Sequence, residues 1–289
     1  MPRASFLAVL LLLAPALAGC EEDIASPDDL RAYYTLWGAL DPESGRQAIR
    51  IVPITDTVGL GTAAPLPVTV TSVDLATGAE TAWRDSVVTY FDESIGHVFL
   101  AEARPAYGSD HVIRVVDETG VETSALVKIP PLIEPIRQTP LLEGGVTYPL
   151  LWVDAPRLNR VRATYVLEDE SCQTFQVTRD LDESMAYPVE FGWAVELPLH
   201  EEARRLIQQT GQNLSLYDVT VSVEVASEDW RPPGGTFDPE ILVEPGTLSN
   251  VTNGFGFVGA AYEQSVRWRP LAAELNRTDF MRRRFGCGA

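Results

Sequence analysis

The chain has 289 residues, of which 45% are hydrophobic and 9% aromatic, enough apolar side chain for a sizeable core. Forty-one acidic residues against 22 basic ones give a net charge of −19, which argues against phosphate-rich partners, so we predict no nucleic-acid binding. The composition therefore indicates a folded body, neither a disordered tail nor a polytopic membrane protein.

The first twenty residues carry an export signal. Arg3 precedes a short apolar stretch that ends in Leu17-Ala18-Gly19-Cys20. A spanning helix needs about 20 apolar residues, so this shorter stretch predicts a signal peptide over residues 1–19. The tetrapeptide Leu17-Ala18-Gly19-Cys20 resembles the lipobox of bacterial lipoproteins. This resemblance implies cleavage after Gly19 and acylation of Cys20. The alternative is an ordinary secreted protein with a chance cysteine.

Residues 20–30 are acidic and polar, the composition of a solvated tether. Several acyl chains on one cysteine hold a protein at a membrane without a spanning segment, because each buried methylene contributes about 0.8 kcal/mol. Glu21 stands where some Gram-negative bacteria use aspartate for inner-membrane retention. We therefore expect a lipid anchor in the outer membrane, on its periplasmic or cell-surface face.

Strand patterns dominate the first part of the body. Residues 32–40, 49–54 and 68–75 are rich in β-branched and aromatic side chains and are separated by turn residues. The clearest unit is a hairpin, with alternation over 111–116 and 121–129 around Asp117-Glu118-Thr119-Gly120. We predict an immunoglobulin-like β-sandwich over residues 31–130.

A domain boundary is expected at Pro130-Pro131, because these prolines, with Pro135 and Pro140, halt strand pairing and stiffen the chain. Residues 131–289 are then a second β-sandwich-like domain, with strands over 146–153, 161–167, 173–178 and 219–225. One short helix is predicted near 199–210. Leu199, Ala203, Leu206 and Ile207 form its apolar stripe, and Gly211 follows as a C-cap.

Cys172 and Cys287 remain once Cys20 is acylated. In an exported protein two remaining cysteines more often pair than stay reduced, so we expect a Cys172–Cys287 disulfide. The chain-entropy model gives such a long loop about 4 kcal/mol of stabilisation.

The sequence shows no phosphate-binding glycine loop, no nucleophile elbow and no zinc-protease helix. We therefore predict no catalytic residue, no cofactor and no metal site. His97, His111 and His200 are far apart along the chain and are interpreted as structural. The carboxylates Glu168-Asp169-Glu170, and Asp180 with Asp182 and Glu183, offer oxygens of the kind that Ca²⁺ takes. They lack EF-hand spacing, so a solvated acidic face is favoured.

One long polar loop carries aromatic residues. Trp230, Arg231 and Phe237 lie in the segment 228–238, where an anchor for a ligand or a partner would be placed. The alternative interpretation is an aromatic side chain pinned back onto its own domain.

The segment Asn253-Gly254-Phe255-Gly256-Phe257-Val258-Gly259-Ala260 is rich in glycine and aromatic residues. Its glycines suit close backbone approach, and Phe255 and Phe257 fill one face. With the lipobox and the stretches 34–40, 67–77 and 124–130, this segment resembles a lipoprotein family common in Bacteroidota, domain of unknown function 4249. The resemblance implies an outer-membrane or surface lipoprotein with β-sandwich domains, found alongside TonB-dependent import systems, with no established enzymatic activity.

These observations predict a non-catalytic accessory or ligand-binding lipoprotein of the outer membrane, with a TonB-dependent protein as a candidate partner and a small-molecule ligand still to be identified. One alternative is a structural or adhesive surface protein. The other is a glycan or peptide hydrolase, which needs an acid pair or His200 to converge in a cleft.

Overall fold

The computed structural model describes residues 34–54, 61–90, 94–228, 230 and 249–281. The first eight strands, β1 to β8, are Tyr34–Leu40, Gln47–Pro53, Val68–Asp74, Glu80–Ala82, Arg84–Thr89, Ile95–Ala101, Asp110–Asp117 and Glu122–Lys128. The strands β9 to β17 are Pro135–Arg137, Thr147–Val153, Arg157–Glu168, Thr174–Asp180, Ala186–Val189, Gly192–Pro198, Ser215–Ala226, Val251–Thr252 and Gly254–Trp268. The helices within these ranges are α1, Leu199–Thr210, and α2, Ala272–Leu275, with a 3₁₀ turn at Glu183–Met185.

The strands form three sheets. The largest has eight strands in the order β12-β11-β15-β17-β1-β2-β6-β5, and the others have the orders β16-β8-β7-β3-β4 and β13-β14-β10-β9. The five-stranded sheet packs on the β1, β2 and β6 end of the large sheet, and the four-stranded sheet packs on its β11 and β15 end. The mainly β, sandwich-like fold predicted from the sequence is confirmed.

The first core follows from period-two alternation. Ile49 and Ile51 of β2 face Ile113 and Val115 of β7, and all four side chains are at most 1% exposed. The hairpin predicted in this part is β7 and β8, in continuous register from Asp110↔Lys128 to Val116↔Glu122.

The second core is larger. Tyr148, Leu150 and Trp152 of β10 pack with the alternating valines of β15, which include Val219 and Val221. Helix α1 buries Leu199, Ala203 and Leu206 against this core, as its apolar stripe predicts. It ends at Gly211, which has a φ of 68° and donates its N–H to the Ile207 carbonyl.

Strand β17 belongs to both sandwiches. Its first half pairs in parallel with β1, from Tyr34↔Gly254 to Leu40↔Ala260, and its second half pairs antiparallel with β15. Val258 and Ala260 therefore lie in the first core, whereas Tyr262 and Trp268 lie in the second. This corrects the predicted boundary between 31–130 and 131–289, because the C-terminal part of the chain completes the N-terminal sandwich.

The glycine-rich segment 253–260 is the part of β17 beside β1. A Cβ at Gly256 would collide with the backbone oxygen of Leu36, and one at Gly254 with that of Tyr34. Gly256 also has a φ of +96°, which other residues rarely adopt. The close backbone approach predicted for these glycines is confirmed.

The expectation that the proline-rich linker stays outside strand pairing is wrong at one point. Strand β9 begins at Pro135 and pairs with β10, where Pro135 takes the first position of an edge strand and so needs no ladder N–H. The linker is also held by Tyr262, whose hydroxyl donates to the Pro131 carbonyl at 2.8 Å and accepts the Ile133 N–H at 2.9 Å.

Candidate functional site

Trp230 lies at the start of the loop that the sequence singles out. Its side chain is 5% exposed and packs on the outer face of the large sheet. The rings of Trp230 and Phe257 lie 5.6 Å apart. Ala226, Ala261 and the half-buried Trp37 and Ala39 complete this cluster. Trp230 is therefore not an exposed anchor, and the alternative interpretation, an aromatic pinned back on the domain, is correct.

Polar contacts hold Trp230 in this position. Its indole N–H donates to Glu224 at 3.1 Å, and its carbonyl accepts from the Asn159 amide at 3.4 Å. Arg160 lies 3.6 Å from the second oxygen of Glu224. Arg160 has a φ of 47° and lies at a register shift between β11 and β15. This β-bulge directs the Arg160 guanidinium toward Glu224, beside Trp230. The other two residues of the predicted binding loop, Arg231 and Phe237, lie outside the described residues.

A groove of about 440 Å³ opens where the β1–β2 turn meets the segment before β7. Its lining residues are Pro42, Glu43, Arg104, Pro105, Ala106 and Tyr107. The buried amide of Gln47 donates to the Asp41 carbonyl at 2.9 Å and to the Ala103 carbonyl at 3.1 Å, so it fixes both walls of the groove. The sequence did not indicate this groove, because its walls come from segments 61 residues apart.

The polar groups of the groove form one network. The Arg104 guanidinium donates to the Glu43 carbonyl at 2.8 Å, and the Tyr107 hydroxyl donates to the Glu43 carboxylate at 3.2 Å. Burial, and then the charge of Glu43, raise the pKa of Tyr107 to about 12. Tyr107 therefore remains a hydrogen-bond donor at neutral pH. Its ring also meets that of Tyr262 edge-on at 5.1 Å, which links the groove to the contact between the two sandwiches.

Chemically, the groove combines proline and tyrosine rings with one exposed carboxylate and one exposed guanidinium. Such a surface suits a small ligand with an apolar face and several hydroxyl or amide groups.

The carboxylates of the acidic segments bind different hydrogen-bond donors and have different structural roles. Asp169 accepts hydrogen bonds from the Ser171 hydroxyl and from the backbone N–H groups of Gln173 and Ser171, which lower its pKa below the ordinary range. Glu168 instead accepts from the Tyr217 hydroxyl, and Glu170 from the Asn213 amide. Asp182 caps another turn at Ser184. Among the described residues, no group of three or more His, Cys, Asp or Glu side chains is placed to hold a metal ion.

The three histidines have three different sets of partners. His97 is buried and lies 2.8 Å from Asp85 and 3.0 Å from the Thr62 carbonyl. His111 contacts the Ser109 hydroxyl at 2.9 Å, and burial lowers its pKa. His200 contacts the Val146 carbonyl. These contacts favour the structural interpretation of each histidine.

Three carboxylates that the sequence did not identify as buried are buried in the structure: Glu168, which was expected on a solvated acidic face, Glu202 and Glu274. Glu202 of α1 is fully buried. It accepts from the Tyr165 hydroxyl and from Arg205, each at 2.9 Å, and burial followed by the Glu202 charge holds the pKa of Tyr165 well above its usual value. Its position three residues after Leu199 places Glu202 on the apolar stripe, a signal that could have identified it. Glu274 plays a similar role beside Tyr148.

Cys172 lies in an exposed turn between β11 and β12, with a φ of 67°. Its predicted disulfide partner, Cys287, lies outside the described residues, as do Cys20, the signal peptide and the tether. The disulfide and the lipidation therefore stay predictions. Within the described ranges, no helix has the length and apolar character needed to cross a lipid bilayer.

Neither a scan against models of known protein families nor a search of curated proteins finds a match to this chain. The resemblance to domain of unknown function 4249 therefore stays a prediction that rests on the quoted motifs.

Proposed function

We propose that the protein is a lipid-anchored outer-membrane lipoprotein that acts without catalysis, as an accessory or ligand-binding component of a TonB-dependent uptake system. The observation that carries the proposal is Leu17-Ala18-Gly19-Cys20 directly after a short apolar stretch. Acyl chains on Cys20 supply the membrane affinity, and the acidic residues 21–29 separate the folded body from the surface.

The architecture of the described body supports a binding role. Two sandwiches that share strand β17 form one scaffold, and the groove at Glu43, Arg104 and Tyr107 lies close to their junction. A scaffold of paired strands positions loops for recognition. Anchoring then raises the concentration of this groove beside a membrane partner.

The anchor is tested by mass spectrometry of the N-terminal peptide and by fractionation of the native host. We expect a mature chain that begins at an acylated Cys20 and is recovered with the outer membrane. Cys20→Ser should move the protein to the soluble fraction, whereas the tether variant Ser26→Ala should remain with the membrane. An unmodified Cys20 in the wild-type protein would contradict the proposal.

The accessory role is tested by purifying the tagged, acylated protein from detergent-solubilised membranes of its host. A TonB-dependent transporter recovered in stoichiometric amount supports the role. Recovery of the protein alone contradicts it and favours a stand-alone binder.

A further inference from the structure

The outward face of the four-stranded sheet carries an apolar row that crosses all four strands. The register aligns Tyr187 of β13 with Ala194 of β14, Ala194 with Leu151 of β10, and Leu151 with Ile136 of β9. Neighbouring strands lie about 4.8 Å apart, so the row is about 14 Å long. Because Leu150 and Trp152 face the core, Leu151 between them must face outward.

This row extends into a patch at one end of the sheet. The next outward row pairs Val153 of β10 with Gly192 and Gly192 with Val189. The adjoining turn projects Phe191, which is 63% exposed, while Ile136 is 49% and Tyr187 36% exposed. We call these six apolar residues the sheet patch, comprising Ile136, Leu151, Val153, Tyr187, Val189 and Phe191. Leu151, Val153 and Val189 are half-buried beside the three exposed side chains, and grouped apolar side chains at a protein surface are typical of interaction sites.

Carboxylates border the sheet patch. Glu134 precedes β9, Asp154 follows β10, and Glu190 precedes Phe191; all three are exposed. They lie at the same end of the sheet, since the Asp154 N–H donates to the Phe191 carbonyl at 2.9 Å and β9 starts opposite Trp152. Glu196 lies beside the row and accepts from the Tyr187 hydroxyl.

The outward positions of the described strands do not balance this border with basic residues. In the described strands of this sheet, no outward position carries lysine or arginine. Arg137 lies instead over the Tyr148 and Trp268 rings, at 6.0 and 5.9 Å, on the inner side of the sheet.

We propose that the sheet patch docks a protein whose contact surface is apolar at its centre and carries lysine or arginine at its edge. Charge complementarity selects this occupant. A second copy docked about a two-fold axis would bring the bordering carboxylates against one another, and anionic lipid headgroups would meet the same repulsion. The inference deepens the proposed accessory role by locating its contact surface, and it rests on that proposal for export to the membrane.

The test uses the full acylated chain in its native host, with a photoreactive phenylalanine analogue in place of Phe191 and, separately, of Tyr187. The same analogue at the exposed Thr178 of β12, in another sheet, is the matched control. Both patch positions should cross-link to one and the same protein, at a segment that mass spectrometry maps to apolar residues beside lysine or arginine. The control position should not yield this product.

Two substitutions then test the surface itself. Ile136→Asp should lower the cross-link yield about tenfold or more, because it buries an unpaired carboxylate in the contact. Ile136→Thr, which keeps the β-branched shape that the strand favours, should lower the yield in the same direction. Thr178→Asp should leave it unchanged, and higher ionic strength in isolated membranes should reduce it.

Three results would overturn the proposal: cross-links from the patch positions only to a second copy of the chain, only to lipid, or to the same mixture of proteins as the control position. Failure of the anchor is distinguishable, because it appears as unmodified Cys20. If Cys20 is acylated but the analogue at Phe191 and Tyr187 gives no cross-link in the chain without further substitution, the sheet patch alone is contradicted.

Discussion

At the scale of single residues, position 259 requires glycine because the Trp230 ring packs directly against it. The Trp230 ring occupies the space that a Cβ on Gly259 would need. Both residues belong to the outer face of the large sheet, where β17 carries Phe257, Gly259 and Ala261 in alternation. The contact ties the long loop to the strand that joins the sandwiches.

We predict that Gly259→Ala lowers the free energy of unfolding by about 1–3 kcal/mol, the usual cost of overpacking a filled site. Urea denaturation followed by tryptophan fluorescence measures the change. Gly45→Ala is the matched control, because a Cβ there meets nothing within 4 Å. Equal stability of the two variants would show that Trp230 is not held against β17.

At the scale of elements, aspartates at strand ends build the turns. Asp117 accepts hydrogen bonds from the Thr119 N–H and hydroxyl and from the Val121 N–H in the β7–β8 hairpin. Asp169 repeats this arrangement with Ser171 and Gln173 between β11 and β12. The sequence predicted the first turn from its Gly120 ending, but not that the aspartate carboxylates are saturated with donors.

These turns predict an acid-sensitive contribution to stability. The hydrogen bonds from Thr119 and Val121 hold the pKa of Asp117 below its ordinary value, so the folded state takes up this proton less readily than the unfolded chain. The contribution is therefore present above the unfolded pKa of about 3.9 and is lost as the pH falls through the lowered folded value.

We expect Asp117→Asn to lower stability at pH 7 and to reduce the loss of stability between about pH 5 and pH 2. Denaturation midpoints across this range measure the slope. Glu118→Gln removes a carboxylate from the same turn without touching the acceptor of these bonds, so it should leave the slope closer to that of the wild type. If Asp117→Asn leaves the slope of stability against pH unchanged, the Asp117 carboxylate is not the source of this acid sensitivity.

At the scale of the whole molecule, β17 makes the two sandwiches interdependent. Without it, β1 loses its parallel partner and the first core loses Val258 and Ala260. A fragment of residues 20–130, the tether and first domain expected from sequence, should therefore lack fixed tertiary packing. Near-ultraviolet circular dichroism and denaturant unfolding compare it with the mature chain. If the fragment unfolds cooperatively, the first sandwich does not depend on β17 for its tertiary packing.

The predicted Cys172–Cys287 disulfide would also act at this scale, because it would tie residue 287 to the β11–β12 turn. A thiol assay on the mature, acylated protein, denatured without reductant, should find no free cysteine. After reduction the same assay should find two, and stability should fall by about 4 kcal/mol on the chain-entropy model. Two free thiols before reduction would contradict the pairing.

Local patterns were sufficient for several features of this protein. Helix α1 spans Leu199–Thr210 as its apolar spacing and Gly211 predict, and the β7–β8 hairpin lies where alternation and the turn place it. Both signals involve residues less than twenty positions apart, where the period of burial directly reflects the backbone geometry. The same reasoning identified the segment 253–260 as one of close backbone approach.

Only the tertiary structure decided how distant parts combine. The pairing of β17 with β1 joins residues more than two hundred positions apart, and no local period encodes which strand a glycine-rich segment will meet. The burial of Trp230 and of Glu202 likewise depends on what covers each side chain. The sequence by itself determined the fold class and the helix, because these depend on neighbouring residues. The export signal stays a prediction from the sequence. The shared strand, the groove and the sheet patch required the structure, because each is made of side chains that only long-range packing brings together.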